Sequence, residues 1–246
     1  MKRRLLIALL LLTSVVPAQS ASAQIMSYNR WKIDVTPYFW LSGLNGDVTV
    51  DGTRVPIDLG FSDVSEFISW GISAHVEARK KLWVVIVDVR YRNLDSQEEF
   101  QSTVLRNTLA EGSVGYWAID WRRFKVTADV IAGVRYVNMR AEIRDAPGVP
   151  SEDENWVDPL VGGRVAWKPG EAWTVSFRGD VGGVGAGSEF SYNVGLFGGW
   201  RFNDFSVILG YRAWYADYES GSGTDLFKYD MTTHGPGIGM TFHFGS

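Results

Sequence analysis

Apolar and polar residues alternate with period two along most of this chain. The longest unbroken run is Ile68 to Arg79, where Ile68, Trp70, Ile72, Ala74, Val76 and Ala78 are apolar and Ser69, Gly71, Ser73, His75, Glu77 and Arg79 are polar or small. That spacing predicts a strand, because a helix repeats its apolar residues every three or four positions. The dyad returns in Trp83 to Tyr91, Val126 to Tyr136, Trp173 to Phe177, Phe190 to Phe202 and Phe205 to Tyr211. Ten strands are predicted, over 31–44, 68–79, 83–93, 103–119, 125–142, 156–167, 172–182, 189–202, 205–217 and 226–244. Their connections alternate in length. Arg79–Leu82, Asp120–Arg123, Lys168–Glu171 and Asn203–Asp204 are tight turns, while 45–67, 94–102, 143–155, 183–188 and 218–225 are longer and polar. This pattern predicts an all-β fold, a transmembrane antiparallel up-and-down β-barrel of ten strands, with eight or twelve as alternatives.

Aromatic residues gather at both ends of the predicted strands. Trp83, Trp117, Trp121, Trp167, Trp173, Trp200, Phe202 and Phe205 crowd the tight turns. Tyr38, Phe39, Trp40, Trp70, Tyr91, Tyr136, Trp156, Tyr192, Tyr211, Tyr215, Phe227 and Tyr229 lie toward the longer loops. Two such belts suit a slab with two water interfaces, whereas a soluble sandwich would not sort its rings by connection length. Residues 1–23 read as a signal peptide: Lys2, Arg3 and Arg4, an apolar run from Leu5 to Val16, and Ala21-Ser22-Ala23 before Gln24. The expected division is therefore signal peptide 1–23 and barrel 24–246. Export with no Cys for a lipid anchor points to the outer membrane of a Gram-negative bacterium. Removing the three leader bases from 24 basic residues leaves 21 against 28 acidic ones, a net charge of −7. No nucleic-acid partner is expected of so acidic a chain. Absence of Cys also excludes disulfides and thiolate metal sites.

The polar parity places Asp34, Glu77, Asp88, Glu111, Asp129, Asp158 and Asp180 in the lumen with Arg90, Arg92, Arg135, Arg164, Arg178 and Arg212. Arginine suits bidentate pairing with carboxylates, and pairs such as Asp129 with Arg164 and Arg90 with Glu111 are expected between neighbouring strands. One reading is an ion-paired filling that closes the lumen; the other is a narrow pore lined by both signs. Ten strands lie nearer the filled eight than the open sixteen. No enzyme is predicted. His75 points inward, deep in its strand beside Glu77, and reads as polar filling; the parity of His234 puts it outside; His243 is inward at the tight-turn end. Gly182 to Ser188 lacks the lysine of a phosphate-binding loop and reads as an outer turn. Asp51-Gly52 marks a hairpin that projects from, or folds over, the barrel mouth. Ser62 to Glu66 suggests one capped helical turn, and Asp145 with Glu152 to Glu154 a solvated acidic loop rather than a cation site. No cofactor or metal is expected.

Ile238, Met240, Phe242 and Phe244, followed by Gly245-Ser246, resemble the C-terminal signal by which bacterial outer-membrane barrels are recognised for assembly. Here the aromatic stands two residues before the end rather than at it. Trp31–Trp40 (WKIDVTPYFW), Trp156–Arg164 (WVDPLVGGR), Gly179–Phe190 (GDVGGVGAGSEF) and Leu209–Arg212 resemble a widespread, largely uncharacterised family of proteobacterial outer-membrane proteins. These belong with the OmpA-type and porin-like small barrels, and the similarity covers most of residues 28–244. The resemblance implies a monomeric barrel in outer-membrane lipid, assembled by the barrel-assembly machinery through its last strand. It carries over no catalytic residues. The expected role is structural or surface-interacting through the outer loops. A narrow porin-like channel is the alternative, and a lipid-modifying enzyme a more distant one.

Overall fold

A computed structural model describes residues 30–60, 68–98, 101–143 and 152–245. The predicted signal peptide, the Ser62–Glu66 turn and Asp145 lie outside the described residues. The chain forms β1 (Lys32–Trp40), β2 (Gly43–Val50), β3 (Thr53–Leu59), β4 (Ile68–Lys80), β5 (Trp83–Glu98) and β6 (Gln101–Trp121). It continues through β7 (Val126–Ile143), β8 (Glu152–Trp167), β9 (Trp173–Gly183), β10 (Phe190–Arg201), β11 (Phe205–Ser220) and β12 (Phe227–Phe244). β1 and β4 to β12 each pair antiparallel with the next one round, and β1 meets β12 with Ile33 opposite Phe244, which closes the barrel; β2 pairs with β12, and β3 with β2. β1 and β4 to β12 are the ten staves of an up-and-down barrel, as the alternation predicts.

The first predicted strand and its loop differ from expectation. β1 stops at Trp40, and β2 resumes at Gly43 along the upper half of β12, with His234 opposite Gly43 and Lys228 opposite Thr49. The cause lies in Gly235-Pro236-Gly237 on β12. Pro236 has no N–H to give the ladder, although its carbonyl accepts a hydrogen bond from the Leu41 N–H at 2.9 Å. Gly235 lets the Leu41 carbonyl come so near that a Cβ there would lie 1.9 Å from its oxygen. The wall kinks at this point and continues. Beyond it, Val50 faces Thr53 across Asp51-Gly52, whose φ values of 49° and 71° suit a type I′ turn. The hairpin therefore extends the barrel wall. β5 and β6 also run to Glu98 and Gln101, into the span read as a loop.

The two faces of the wall exchange chemistry along the axis. Near the tight turns the outward parity carries exposed Val130, Val134, Val161, Val165, Leu196, Leu209 and Ile238. On β12, outward Ile238, Met240, Phe242 and Phe244 give way toward the longer loops to Lys228, Asp230, Thr232 and His234. The inward parity changes oppositely, from Thr241 and His243 to buried Phe227, Tyr229 and Met231. β7 repeats this, with Asn138 and Arg140 following Val134 and Tyr136 outside while Val137 and Met139 follow Asp129 and Arg135 inside. The apolar outer band is thus about ten residues of tilted strand tall, enough to cross hydrocarbon.

Exposed Trp83, Trp121, Phe124, Trp167, Trp173, Trp200 and Phe202 ring the band's lower edge, and Phe39, Tyr136, Phe190 and Tyr211 its upper one. Tyr38, Trp40, Trp156, Phe227 and Tyr229, expected among the rings by the longer loops, instead turn inward. With Leu44, Leu109, Val137, Trp214 and Met231 they make an apolar core inside the barrel. Above the band the outer face meets water, so the apolar residues take the other parity. Gly235→Ala is expected to lower the unfolding free energy by about 2–3 kcal/mol through overpacking against backbone. Gly112→Ala, with nothing within 4 Å of its added Cβ, serves as the unchanged control. Equal urea midpoints for the two variants would refute this account of the kink.

Candidate functional site

The lumen-facing charges join into one continuous belt. Arg79 grips Asp129 with two bonds, Nη1 to Oδ1 at 3.1 Å and Nη2 to Oδ2 at 2.8 Å. Arg164 also reaches Asp129, Nη2 to Oδ2 at 2.7 Å, and bonds Glu77 through Nη1. His75 lies between carboxylates, 3.1 Å from Glu77 through Nε2 and 3.1 Å from Asp88 through Nδ1. Carboxylates only accept, so both ring nitrogens carry protons there. Asp88 accepts from Tyr38 Oη at 3.0 Å and from Arg212 Nη1 at 3.3 Å. Arg212 Nε donates to Asn193 Oδ1 at 2.5 Å, and Asn193 Nδ2 to Asp180 at 2.7 Å. Asp180 and Glu111 then share Arg135 and Arg178. The belt draws on β1 and on β4 to β11, and Arg135, Glu111 and Asp180 have fully buried side chains.

Above the belt Trp40 turns into the lumen and is buried. The guanidinium carbons of Arg90, Arg212 and Arg92 lie 4.8, 5.7 and 5.8 Å from its ring centroid, within cation–π range. Its indole N–H donates to the Gly235 carbonyl at 3.1 Å, which ties the plug to the kink in β12. Trp214 is buried beside it, and a cavity of about 10 Å³ between Trp40, Arg90, Arg92 and Trp214 has room for about one water. Trp156 stacks on Tyr218 at 4.2 Å further up.

Most residues expected in the lumen charge set lie in this belt: Glu77, Asp88, Glu111, Asp129, Arg135, Arg164, Arg178, Asp180 and Arg212. Asp129 and Arg164 pair, whereas Arg90 contacts Asp88 at 3.2 Å and not Glu111. Arg92 donates to Ser42 beside the plug. Asp158 is buried, yet it holds a turn and not an arginine: it accepts from the Ser188 N–H at 2.7 Å and Ser188 Oγ at 2.8 Å. Gly183, Val184 and Gly185 have φ of 84°, 51° and 76° there, which folds this outer turn back onto the wall. His234 is outside, bonded to Tyr211 Oη at 2.6 Å. Arg79, Trp40 and Trp214 lie outside the predicted charge set but share a strand face with Glu77, Asp34 and Arg212, whereas Asn193 is on β10, where that set has no member.

Below the belt the lumen opens into a cavity of about 510 Å³ that reaches the tight-turn end. Lys32, Lys168 and Arg201 line its mouth near the turns, Phe197 and Ile208 line it further in, and belt residues such as Glu77 and Asp88 stand with Trp40 at its upper end. Asp34, expected with the belt, stands apart at this mouth. His243 Nδ1 lies 2.7 Å from Asp34 Oδ1, and His243 Nε2 lies 2.8 Å from Ser206 Oγ. Met240, Phe242 and Phe244 on the same strand face outward and are exposed.

No family model matches the chain, and no curated protein does. Solved structures with a similar fold include the outer membrane protease OmpT from Escherichia coli, with a TM-score of 0.55 at 8% identity over 89% of this chain and 98% of that one. The translocator domain of the autotransporter NalP from Neisseria meningitidis covers 88% of this chain and 89% of that one at 9% identity, with a TM-score of 0.41. Ail, the attachment invasion locus protein of Yersinia pestis, covers 88% and 99% at 10% identity, with a TM-score of 0.37. The likeness to OmpT is one of fold.

Arg135→Met leaves Glu111 and Asp180 to share Arg178. It is expected to cost about 3–5 kcal/mol, the penalty for a buried charge that loses its partner. Adding Glu111→Gln, which returns Asp180 to a single pair with Arg178, should recover part of that loss in urea titrations followed by Trp fluorescence. A cost below about 1 kcal/mol, the range of exposed pairs, would show that the belt is solvated.

Proposed function

We propose that this chain is a monomeric integral outer-membrane β-barrel, closed toward its longer loops, that works through the collar those loops and the β2–β3 hairpin build. The observation that carries the closed reading is the Trp40 layer, where three guanidiniums lie within 5.8 Å of the centroid of the buried Trp40 ring and Trp214 is buried beside it. The exposed apolar band between two aromatic rings supports residence in lipid, since its burial is favourable at about 25 cal/mol per Å². OmpT, which shares the fold, is by name an outer-membrane protein, and this supports the same address. The long-loop end would then face the exterior and the tight turns and both chain ends the periplasm, after export by the signal peptide.

The collar stands above the band with a polar outside. Arg54 bonds Asp47 at 2.5 Å across the β2–β3 hairpin, and Lys228 reaches Asp217 at 3.4 Å between β11 and β12. The Arg54 guanidinium holds the Asp47 carboxyl below its ordinary range. A rigid, charged collar fits a structural or surface-interaction role better than a conduit. Outward Met240, Phe242 and Phe244 on β12, the strand that closes the barrel, support its recognition by the assembly machinery.

In planar bilayers the refolded protein is expected to insert without steady conductance, while Trp40→Ala with Trp214→Ala should give discrete steps. Reproducible steps from the unaltered protein would overturn the closed reading in favour of a narrow channel. A soluble folded product that never inserts would overturn the membrane one.

A further inference from the structure

We propose that Ser206, His243 and Asp34 form a serine-hydrolase centre in the mouth of the cavity at the tight-turn end, taking small anionic carboxylic esters. This inference requires neither the membrane address nor a closed upper lumen. It rests on three side chains that barrel closure brings into one row. Asp34 stands directly opposite His243 where β1 meets β12, and β11 supplies Ser206 from the other flank. The His243 N–H also donates to the Asp204 carbonyl at 3.2 Å, which fixes the end of β12 against the turn before Ser206.

The hydrogen bonds have one consistent direction. A carboxylate can only accept, so the 2.7 Å contact with Asp34 puts a proton on His243 Nδ1. With the ring neutral, Nε2 is its acceptor, and Ser206 Oγ donates to it across 2.8 Å. That is the tautomer and polarity a general base needs to take a hydroxyl proton. Ser206 and His243 both line the 510 Å³ cavity, a volume within the range of small-ligand sites.

The charge of the substrate follows from the mouth. Arg201 is the direct cross-strand partner of Ser206, and direct partners share a face, so its guanidinium and the Ser206 hydroxyl lie on the lumen side together. Lys32 and Lys168 line the same mouth. Burial, with Arg201 and Lys32 close by, pushes the Lys168 ammonium below its ordinary value, while Asp34 at the same mouth acts the other way. The mouth thus gathers three cations beside Asp34, and Arg201 is placed to hold an anionic group of the substrate near Ser206.

In the first step Ser206 Oγ bonds to the ester carbonyl carbon and its proton passes to His243 Nε2. The carbon–oxygen bond to the alcohol then breaks, and the alcohol leaves with that proton. Water attacks the acyl-serine by the same route, giving its proton to Nε2. The carboxylic acid departs as Ser206 takes the proton back. Asp34 acts through His243 as a positioning residue.

The test uses the full mature chain folded in detergent, with folding read from its heat-modifiable migration, a small fluorophosphonate as probe and p-nitrophenyl succinate as substrate. A covalent adduct on Ser206 is expected, absent from Ser206→Ala and slowed about 10²-fold or more in His243→Gln. Asp34→Asn should slow labelling and shift its pH dependence, with part of the rate restored in Asp34→Glu. Arg201→Gln should raise KM for p-nitrophenyl succinate several-fold while leaving that for neutral p-nitrophenyl acetate unchanged. A folded protein without a Ser206 adduct, or with labelling equal in His243→Gln, would overturn the centre. Equal KM changes for both esters would overturn the anionic preference.

Discussion

A charge drawn out of water into the bore of a barrel costs several kcal/mol unless a partner meets it there, and the strands of this barrel bring Glu77, Asp88, Glu111, Asp129 and Asp180 into one network. Guanidiniums from other staves answer them, Arg79 from β4, Arg135 from β7, Arg164 from β8, Arg178 from β9 and Arg212 from β11, and Arg178 also meets Asp180 on its own strand. Each arginine therefore fixes the relative height of the staves it joins, as cross-strand pairs do on one face of a sheet. An antiparallel strand slipped by one residue would send its charge into the apolar band, so the belt and the register specify each other. This is a device for uniqueness more than for stability, since well-packed apolar filling of the same volume can be as stable as buried ion pairs. The lower cavity and the upper plug both take their positions from it.

The exchange of faces follows from what surrounds the wall. Beside the apolar band the outer parity is Val, Leu, Ile and Phe, and the inner parity can be polar because the belt pairs it. Above the band the outer parity is Lys228, Asp230 and Asn138, and the inner one is Phe227, Tyr229 and Val137. That half is built like a small soluble barrel. Trp40 sits where the two regimes meet, with an apolar body suited to the core above and a π-face suited to the guanidiniums of Arg90, Arg92 and Arg212. The kink at Gly235-Pro236-Gly237 falls at the same height, and Trp40 Nε1 donates to the carbonyl of Gly235 itself.

Alternation is a local property, and it was enough to read the strands, the tight turns and the Asp51-Gly52 hairpin from the sequence. It also groups the belt residues on one face, because parity survives the change of surroundings. What alternation does not carry is which face is outside. Tyr38, Trp40, Trp156, Phe227 and Tyr229 look like belt aromatics because they are rings near long loops; only the polar residues beside them, such as Lys228 and Asp230, mark the height at which outside becomes aqueous. Partner choice within the belt was less legible still. Asp129 and Arg164 are direct neighbours in register and could be read as a pair, while Arg79 reaches Asp129 across the bore and Asp158 leaves the belt to hold Ser188.

The triad at the tight-turn end was hidden for a different reason. His243 is 37 residues from Ser206 and 209 from Asp34, and no local motif spans such distances. Closing an up-and-down barrel necessarily lays the first strand against the last, so residues from the two ends of the sequence become neighbours in one ladder. Here that seam carries Asp34 opposite His243, and the next stave adds Ser206. Trp40 bonds Gly235 across the upper part of the seam, and His243 N–H ties the end of β12 to the turn before Ser206. A row of three hydrogen-bonded side chains gains from such a frame, because catalysis by positioned groups fails with displacements of about 1 Å. The cavity beside that row runs from the tight-turn end, where Arg201 and Ser206 line it, up past the belt charges to Trp40.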